Sequence, residues 1–203
     1  MHQVALRTKF RNNSAARRRR AGDLFAAAFE TELGWMAIAE RDEVLTGVGF
    51  GHPSERQALQ ALRKNLGGNA ASESVVFLKI EEQPSSIADV VERLKAYAAG
   101  EDVDFSDVAV DERHLTDFGR RVVAACRRIP RGKTRSYGEL AAACDSPGAA
   151  RAVGQVMARN RYPLIVPCHR VLAAGGLLGG FSAPQGLAMK RRLLELERDE
   201  LLS

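Results

Sequence analysis

SYGELAAACDSPGAARAVGQVMA, residues 136–158, sets the architecture of the C-terminal half. Ser136 stands in N-cap position before Tyr137, and Glu139 follows three residues later, the spacing of a capping box. The helix it starts is expected over Tyr137 to Cys144. Asp145-Ser146-Pro147-Gly148 is turn-forming by composition, and Ala149 to Ala158 carries a second short helix. Two short helices across a tight turn predict a helix-turn-helix, although any helical pair can imitate that pattern. Upstream, Phe118, Val122, Val123, Cys126 and Ile129 form one apolar stripe of a helix that starts near Thr116. Pro130-Arg131-Gly132-Lys133 stops it. Downstream, Leu187 to Leu201 reads as an amphipathic, charge-rich closing helix.

Toward the N-terminus the texture changes from helical to strand-like. Phe29 to Ala39 places β-branched and aromatic residues around a turn at Gly34, and Val44 to Phe50 is a second such run. Ser54 to Leu66 has helical spacing, with Ala58, Ala61, Leu62 and Leu66 apolar. Ser74 to Ile80 is a short strand, and Ile87, Val90, Val91, Leu94 and Tyr97 share one face of a helix over Ile87 to Ala98. The fold class expected is an α/β N-terminal domain, a small sheet with helices, over 23–100. An acidic linker over 101–115 joins it to a mainly α C-terminal domain with a helix-turn-helix and an active-site loop over 116–203. Residues 1–22 form a basic tail: the first 20 residues carry seven Lys and Arg and no acid. A disordered tail, or an over-extended start to the reading frame, is the plainer account of it; a DNA-attracting arm is the alternative.

The chain has 203 residues, 45% hydrophobic and 27% charged, the composition of a globular protein. No apolar run approaches the ~18 residues of a membrane span, and the basic N-terminus lacks the apolar core of a secretory signal. The expected location is the cytoplasm, at the nucleoid if DNA is bound. The net charge of +5 suits a phosphate-bearing partner without requiring one. Three cysteines, Cys126, Cys144 and Cys168, are too few for a disulfide framework, and zinc-type C-x-x-C spacings are absent. Reduced thiols, no structural metal and no cofactor are expected.

Chemistry concentrates in Pro163-Leu164-Ile165-Val166-Pro167-Cys168-His169-Arg170-Val171. An apolar run drives into Pro167, which fixes its own φ and restricts Val166, so the backbone is stiff. A free cysteine titrates near ~8.5 and is only about a few per cent thiolate at neutral pH, so a nucleophilic one needs a proton acceptor. His169 is adjacent and able to serve, through a water; an acid would then be needed to orient the imidazole, and Glu197 on the last helix is a candidate. From adjacency alone, a buried structural cysteine beside a core histidine is the commoner arrangement. The surrounding residues alter that balance.

The run Ile129 to Leu140, then Gly148-Ala149-Ala150-Arg151-Ala152-Val153-Gly154, Asn160, Pro167-Cys168-His169-Arg170-Val171, Gly179-Gly180-Phe181-Ser182 and Lys190 to Glu197 resembles the methylated-DNA–protein-cysteine methyltransferases, or O6-alkylguanine-DNA alkyltransferases. The resemblance spans about residues 116 to 198; the N-terminal part is similar only loosely. It implies irreversible, single-turnover transfer of an alkyl group from O6-alkylguanine in double-stranded DNA, with O4-alkylthymine a further candidate, onto Cys168 by a monomer that needs no cofactor. It also implies His169 as water-mediated base, Glu197 as its orienting acid and Asn160 as a brace between helix-turn-helix and loop. Tyr137 would be the proton donor to the leaving guanine. Arg151 would be the finger that fills the gap left by a flipped nucleotide. Ala149, Ala150, Ala152 and Gly154 would let the second helix approach the minor groove, with Arg135 and Ser136 beside it. Val171, Gly179, Gly180, Phe181 and Ser182 would line the base pocket. The sequence departs from the family at Phe181, where Tyr is frequent, at Arg161, where Pro is common, and at Val122-Val123, where a tryptophan is often found. Ala183-Pro184-Gln185 looks like a short insertion. The first and last of these bear on which alkyl groups fit.

Two other functions remain open at this level. A damage-flagging relative would share the helix-turn-helix and arginine but lack the acceptor cysteine, which is present here. A Cys-His-Glu hydrolase would have no use for Arg151 or a basic helix-turn-helix.

Overall fold

The computed structural model describes residues 22–66, 75–77 and 85–198. The basic tail through residue 21, the ends of the strand expected over Ser74 to Ile80, and residues 199–201 of the helix expected to run to Leu201 lie outside them; within the described residues that helix ends at Leu196. Strands β1 (Leu24–Phe29), β2 (Trp35–Arg41) and β3 (Val44–His52) form an antiparallel meander, and β4 (Val75–Phe77) pairs parallel with β1, giving the order β3-β2-β1-β4. The β2–β3 connection is the two-residue turn Asp42-Glu43, with φ of 50° and 65°, the sense that matches strand twist. Period-two alternation splits the sheet's side chains. Leu24, Ala26, Ala37 and Ala39 face Ala58 and Leu62 of helix α1 (Glu55–Leu66). On the opposite face Phe25, Phe29, Met36, Ile38, Val48 and Phe50 join Ile87, Val91 and Leu94 of α2 (Ser85–Ala98).

That second cluster continues without a break into the C-terminal half, through Val122, Cys126, Val153, Val166, Cys168, Met189 and Leu193. The connecting segment has no helix, yet Phe105 and Val108 are buried in the same core. Leu45 N–H donates to Ala109 O at 2.9 Å and Asp111 N–H to Leu45 O at 2.8 Å, which fastens the segment along β3. Arg127 reaches back to the carbonyls of Phe105, Ser106 and Val108.

Helix α3 (Asp117–Arg127) starts at Thr116, whose hydroxyl accepts from Gly119 N–H, and buries Val122, Val123 and Cys126. Helix α4 (Tyr137–Ala142) carries both arms of the expected capping box: Glu139 N–H donates to Ser136 Oγ at 3.1 Å, and Ser136 N–H to Glu139 Oε2 at 2.6 Å. It ends two residues before Cys144, because the last turn tightens: Cys144 N–H bonds Ala141 O and Asp145 turns to φ 55°. Helix α5 (Ala150–Ala158) follows the turn. Two short strands, β5 (Arg135–Ser136) and β6 (Val171–Leu172), pair parallel and tie the start of α4 to the residues just after Cys168. Helix α6 (Leu187–Leu196) turns Met189 and Leu193 into the core; each such burial is worth roughly 1.5–3 kcal/mol, enough to draw the neighbouring Lys190 inside with them. Among the described residues no helix is long and apolar enough to cross a membrane.

Candidate active site

Cys168 opens a single 3-10 turn (Cys168–Arg170) at the end of a braced loop. Asn160, just past α5, accepts from Tyr162 N–H through Oδ1 at 2.9 Å and donates from Nδ2 to Val166 O at 2.9 Å. Between these bonds Leu164 takes φ 74°, a conformation that costs a non-glycine residue energy and that the two bonds enforce. Cys168 N–H bonds Val166 O at 2.7 Å. Burial pushes the Cys168 thiol up; the Asn160 side chain, the charge of Lys190 and the local backbone N–H groups pull the other way. The thiol is therefore protonated at rest and needs an acceptor to become a nucleophile.

The next residue in the chain is an imidazole. His169 is fully buried, and its Nε2 lies 2.7 Å from Glu197 Oε1. A carboxylate accepts only, so Nε2 carries the proton and Nδ1 is bare. His169 Nδ1 has no hydrogen-bond partner among the described residues; it is the orphaned lone pair of the site. Glu197 is held from three sides. Arg170 donates Nε to Oε2 and Nη2 to Oε1, both at 2.9 Å, while its Nη1 anchors to Ile129 O at 2.6 Å. Tyr97 O–H donates to Oε1 at 2.6 Å. Burial pushes the Glu197 carboxyl up, but the bonds from His169, Arg170 and Tyr97 outweigh it and hold the group well below the usual carboxylate range. Burial drives His169 down, with Glu197 opposing, so the imidazole rests neutral. Gly132, at φ 69°, passes so close that a Cβ would sit 2.9 Å from Glu197 O; any side chain there displaces the acid.

Beside the thiol a second group gathers. Tyr137 is the first residue of α4 and half-buried; a Cβ on Gly179 would meet its ring at 3.2 Å. Lys190 Nζ donates to Val171 O at 2.7 Å and sits 5.9 Å from the Tyr137 ring and 6.0 Å from the Phe181 ring. Burial lowers Lys190 and the Cys168 charge raises it; burial also raises Tyr137, so its hydroxyl keeps its proton. Phe181 stacks edge-on against Phe50 of β3 at 6.3 Å. Val171 is buried, Gly180 and Ser182 are exposed, and Gly186 N–H closes the Ala183-Pro184-Gln185 segment onto Ala183 O at 2.8 Å.

The helix-turn-helix residues form a separate surface. Arg151 is exposed on the first turn of α5, with Ala149, Ala150 and Ala152 half-exposed and open space around Gly154. Arg135 is exposed, whereas the Ser136 side chain is occupied by its cap. Of the expected site residues, Asn160 and Cys168 meet at Val166 O, His169 and Glu197 pair directly, and the Cys168–His169 peptide joins the two sets; Tyr137, Val171, Gly179 and Phe181 gather around Lys190 and the Tyr137 ring, and the Arg151 group is exposed on the helix-turn-helix. Sequence reasoning missed Tyr97, Arg170 and Lys190. Arg170 carried a signal, its place directly after Cys168-His169; Tyr97 and Lys190 carried none beyond a helical stripe and a basic run.

Residues 117–199 match the family model described as 6-O-methylguanine DNA methyltransferase, DNA binding domain. The methylated-DNA–protein-cysteine methyltransferase of Mycolicibacterium paratuberculosis is 40% identical to the chain over 169 residues, covering 83% of this chain and 89% of that protein. The constitutive methylated-DNA–protein-cysteine methyltransferase of Bacillus subtilis is also 40% identical over 169 residues, covering 83% and 92%. The crystal structure of Mycobacterium tuberculosis OGT in complex with DNA is similar with a TM-score of 0.66 and 35% identity, over 85% of this chain and 92% of that one. The O6-methylguanine-DNA methyltransferase of Pyrococcus kodakaraensis is similar with a TM-score of 0.64 and 28% identity, over 86% and 98%.

Proposed function

The chain belongs to the methylated-DNA–protein-cysteine methyltransferase family, and on that premise we propose that it repairs DNA by moving the alkyl group of O6-alkylguanine onto Cys168. The observation that carries the choice of residue is the pairing of a buried thiol with an adjacent histidine whose Nε2 is held by Glu197 and whose Nδ1 has no hydrogen-bond partner among the described residues. The thiol proton passes to His169 Nδ1 through a water. The sulfur attacks the alkyl carbon, the carbon–oxygen bond breaks, and the electron pair stays on the guanine oxygen. Tyr137, whose hydroxyl remains protonated, gives a proton to the departing guanine. Glu197 stabilises the imidazolium that forms. Asn160 keeps the loop and α5 in one piece, and backbone groups at Cys168, Val171 and Ser182 read the guanine edges.

The alkylated atom lies inside a duplex, so the nucleotide must be extruded at a cost of a few kcal/mol. Arg151 enters the vacated space from the minor groove, where the small residues Ala149, Ala150, Ala152 and Gly154 permit close approach, and Arg135 and the backbone at Ser136 hold the flanking phosphates. The protein works as a monomer in the cytoplasm, on the nucleoid. Arg151→Ala is expected to slow repair of duplex DNA about tenfold or more while changing transfer from a free alkylated guanine base less than about twofold, because a free base needs no extrusion. Single-turnover rates on the two substrates check this, and equal losses would give Arg151 another role.

Transfer leaves a thioether that no group of the site cleaves, since water is a poor nucleophile toward an S–CH₃ carbon. With excess DNA carrying O6-methylguanine, uptake read by intact mass spectrometry should plateau near one methyl group per molecule. Continued turnover would favour a hydrolase, and binding without any uptake a damage-flagging role.

A further inference from the structure

We propose that Tyr97, on helix α2 of the N-terminal half, is a positioning residue for the proton transfer: its hydroxyl fixes the Glu197 carboxylate and tempers the charge that His169 faces. The inference rests on His169 being the base for Cys168. Tyr97 is 1% exposed, and its oxygen, 2.6 Å from Glu197 Oε1, also lies 3.3 Å from His169 Nε2. The phenol therefore touches both members of the pair from an element 100 residues away from Glu197 in sequence.

Its orientation is fixed on several sides. Phe105 packs edge-on at 6.1 Å between ring centroids, and the Arg131 guanidinium lies over the ring, 5.6 Å from its centroid. Arg131 also donates to Gly100 O and Glu101 O, just after α2, and to Leu196 O at the end of α6. One side chain thus clamps the end of the Tyr97 helix to the end of the Glu197 helix. The α/β half is by this account part of the reacting apparatus and not only its support.

The direction of the effect follows from charge. Glu197 Oε1 accepts from Tyr97, His169 and Arg170, and each donor withdraws negative potential from the carboxylate. Without the Tyr97 donor, Glu197 acts more strongly on His169 and favours the imidazolium, which is the form unable to accept the thiol proton. The other charged or titratable groups facing His169 are Arg170 on its own turn, Lys190 on α6 and Cys168 beside it; Arg170 and Lys190 both oppose its protonation. None of these is altered by removing the phenol oxygen.

The test is Tyr97→Phe in the full chain, with methyl uptake from a duplex carrying O6-methylguanine followed across the acid limb of the rate profile. The limb should move to higher pH by about half a unit, making transfer about threefold slower on the acid side and leaving it within about twofold above the limb. The unfolding midpoint should fall by about 3–10 °C, the scale of one lost hydrogen bond to a charged group in a chain of this size. Phe105→Leu, which loosens the ring packing and leaves the hydroxyl, should lower the midpoint without moving the limb. A Tyr97→Phe profile that superimposes on the unsubstituted one, a loss uniform at every pH, or an equal limb shift from Phe105→Leu would each overturn the proposal. Failure of the unsubstituted chain to take up methyl would instead overturn the alkyl-transfer reading on which it rests.

Discussion

Cys168→Ala is expected to take up no methyl group from DNA containing O6-methylguanine while still binding that duplex within about threefold of the unsubstituted affinity, since phosphate contacts dominate such binding. The substitution removes the sulfur and almost nothing else. The loop's path is set by Pro167, by the Asn160 bonds with Tyr162 N–H and Val166 O and by the Cys168 backbone bond to Val166, and these do not use the thiol, whose own side-chain partner is Asn160. The small loss of buried volume costs about 1 kcal/mol, the scale of one methylene. Neither remaining cysteine can take over. Cys126 is 0% exposed and burial pushes its thiol well up, while Cys144 is buried under the α4–α5 turn and also raised by burial. Intact mass together with peptide mapping measures the outcome. Methyl found on Cys126 or Cys144 in the variant would remove Cys168 from its role, and loss of duplex binding in parallel would show that the thiol shapes the DNA surface.

What the sequence discloses depends on how local the determining physics is. The capping box at Ser136 and Glu139, the helix start near Thr116 and the strand run Val44 to Phe50 are local, and each appears where the pattern puts it. The Cys168-His169 pair is legible because both residues lie in one short, stiffened segment. Glu197 is only a candidate from the residues and gains its place through the family pattern, because its contact with His169 spans 28 residues. Tyr97 reads as one more apolar member of the α2 stripe: periodicity reports that its ring is buried and says nothing about where the hydroxyl points. Lys190 opens the run Lys190-Arg191-Arg192, for which solvent is the default, yet burial of Met189 and Leu193 on the same turns carries it inward to Val171 O. The acidic, irregular stretch after Gly100 reads as a linker by composition. Its anchoring through Phe105, Val108 and the β3 edge is a tertiary matter that composition does not contain.

Glu197→Gln should slow methyl transfer by about 10²–10⁴-fold, the range over which a misdirected or weakened histidine base typically costs an enzyme. The amide has nearly the carboxylate's shape but only one accepting oxygen. If that oxygen keeps the Oε1 position, the NH₂ group meets Arg170 Nε; if it takes the Oε2 position, the NH₂ group meets Tyr97, His169 and Arg170 together. The second pose drives the His169 proton from Nε2 to Nδ1 and blocks the base. The first keeps the tautomer but withdraws the charge that stabilises the imidazolium. In that pose the acid limb moves to lower pH, opposite in sign to the shift expected for Tyr97→Phe. Stability should fall as well, by about 3–5 kcal/mol, because Arg170 is left nearly buried without its carboxylate. The folded-state pKa of Glu197 lies below its unfolded value, so its contribution is fully present above about pH 4.3 and is lost as pH falls through the folded value. The stability difference between the two chains should therefore shrink in acid. Single-turnover rates and urea unfolding at neutral and acid pH test both halves. Transfer within tenfold of the unsubstituted rate would mean that His169 does not depend on Glu197, and an acid-insensitive stability difference would mean that the carboxylate's charge is not what holds Arg170 and the Cys168 turn together.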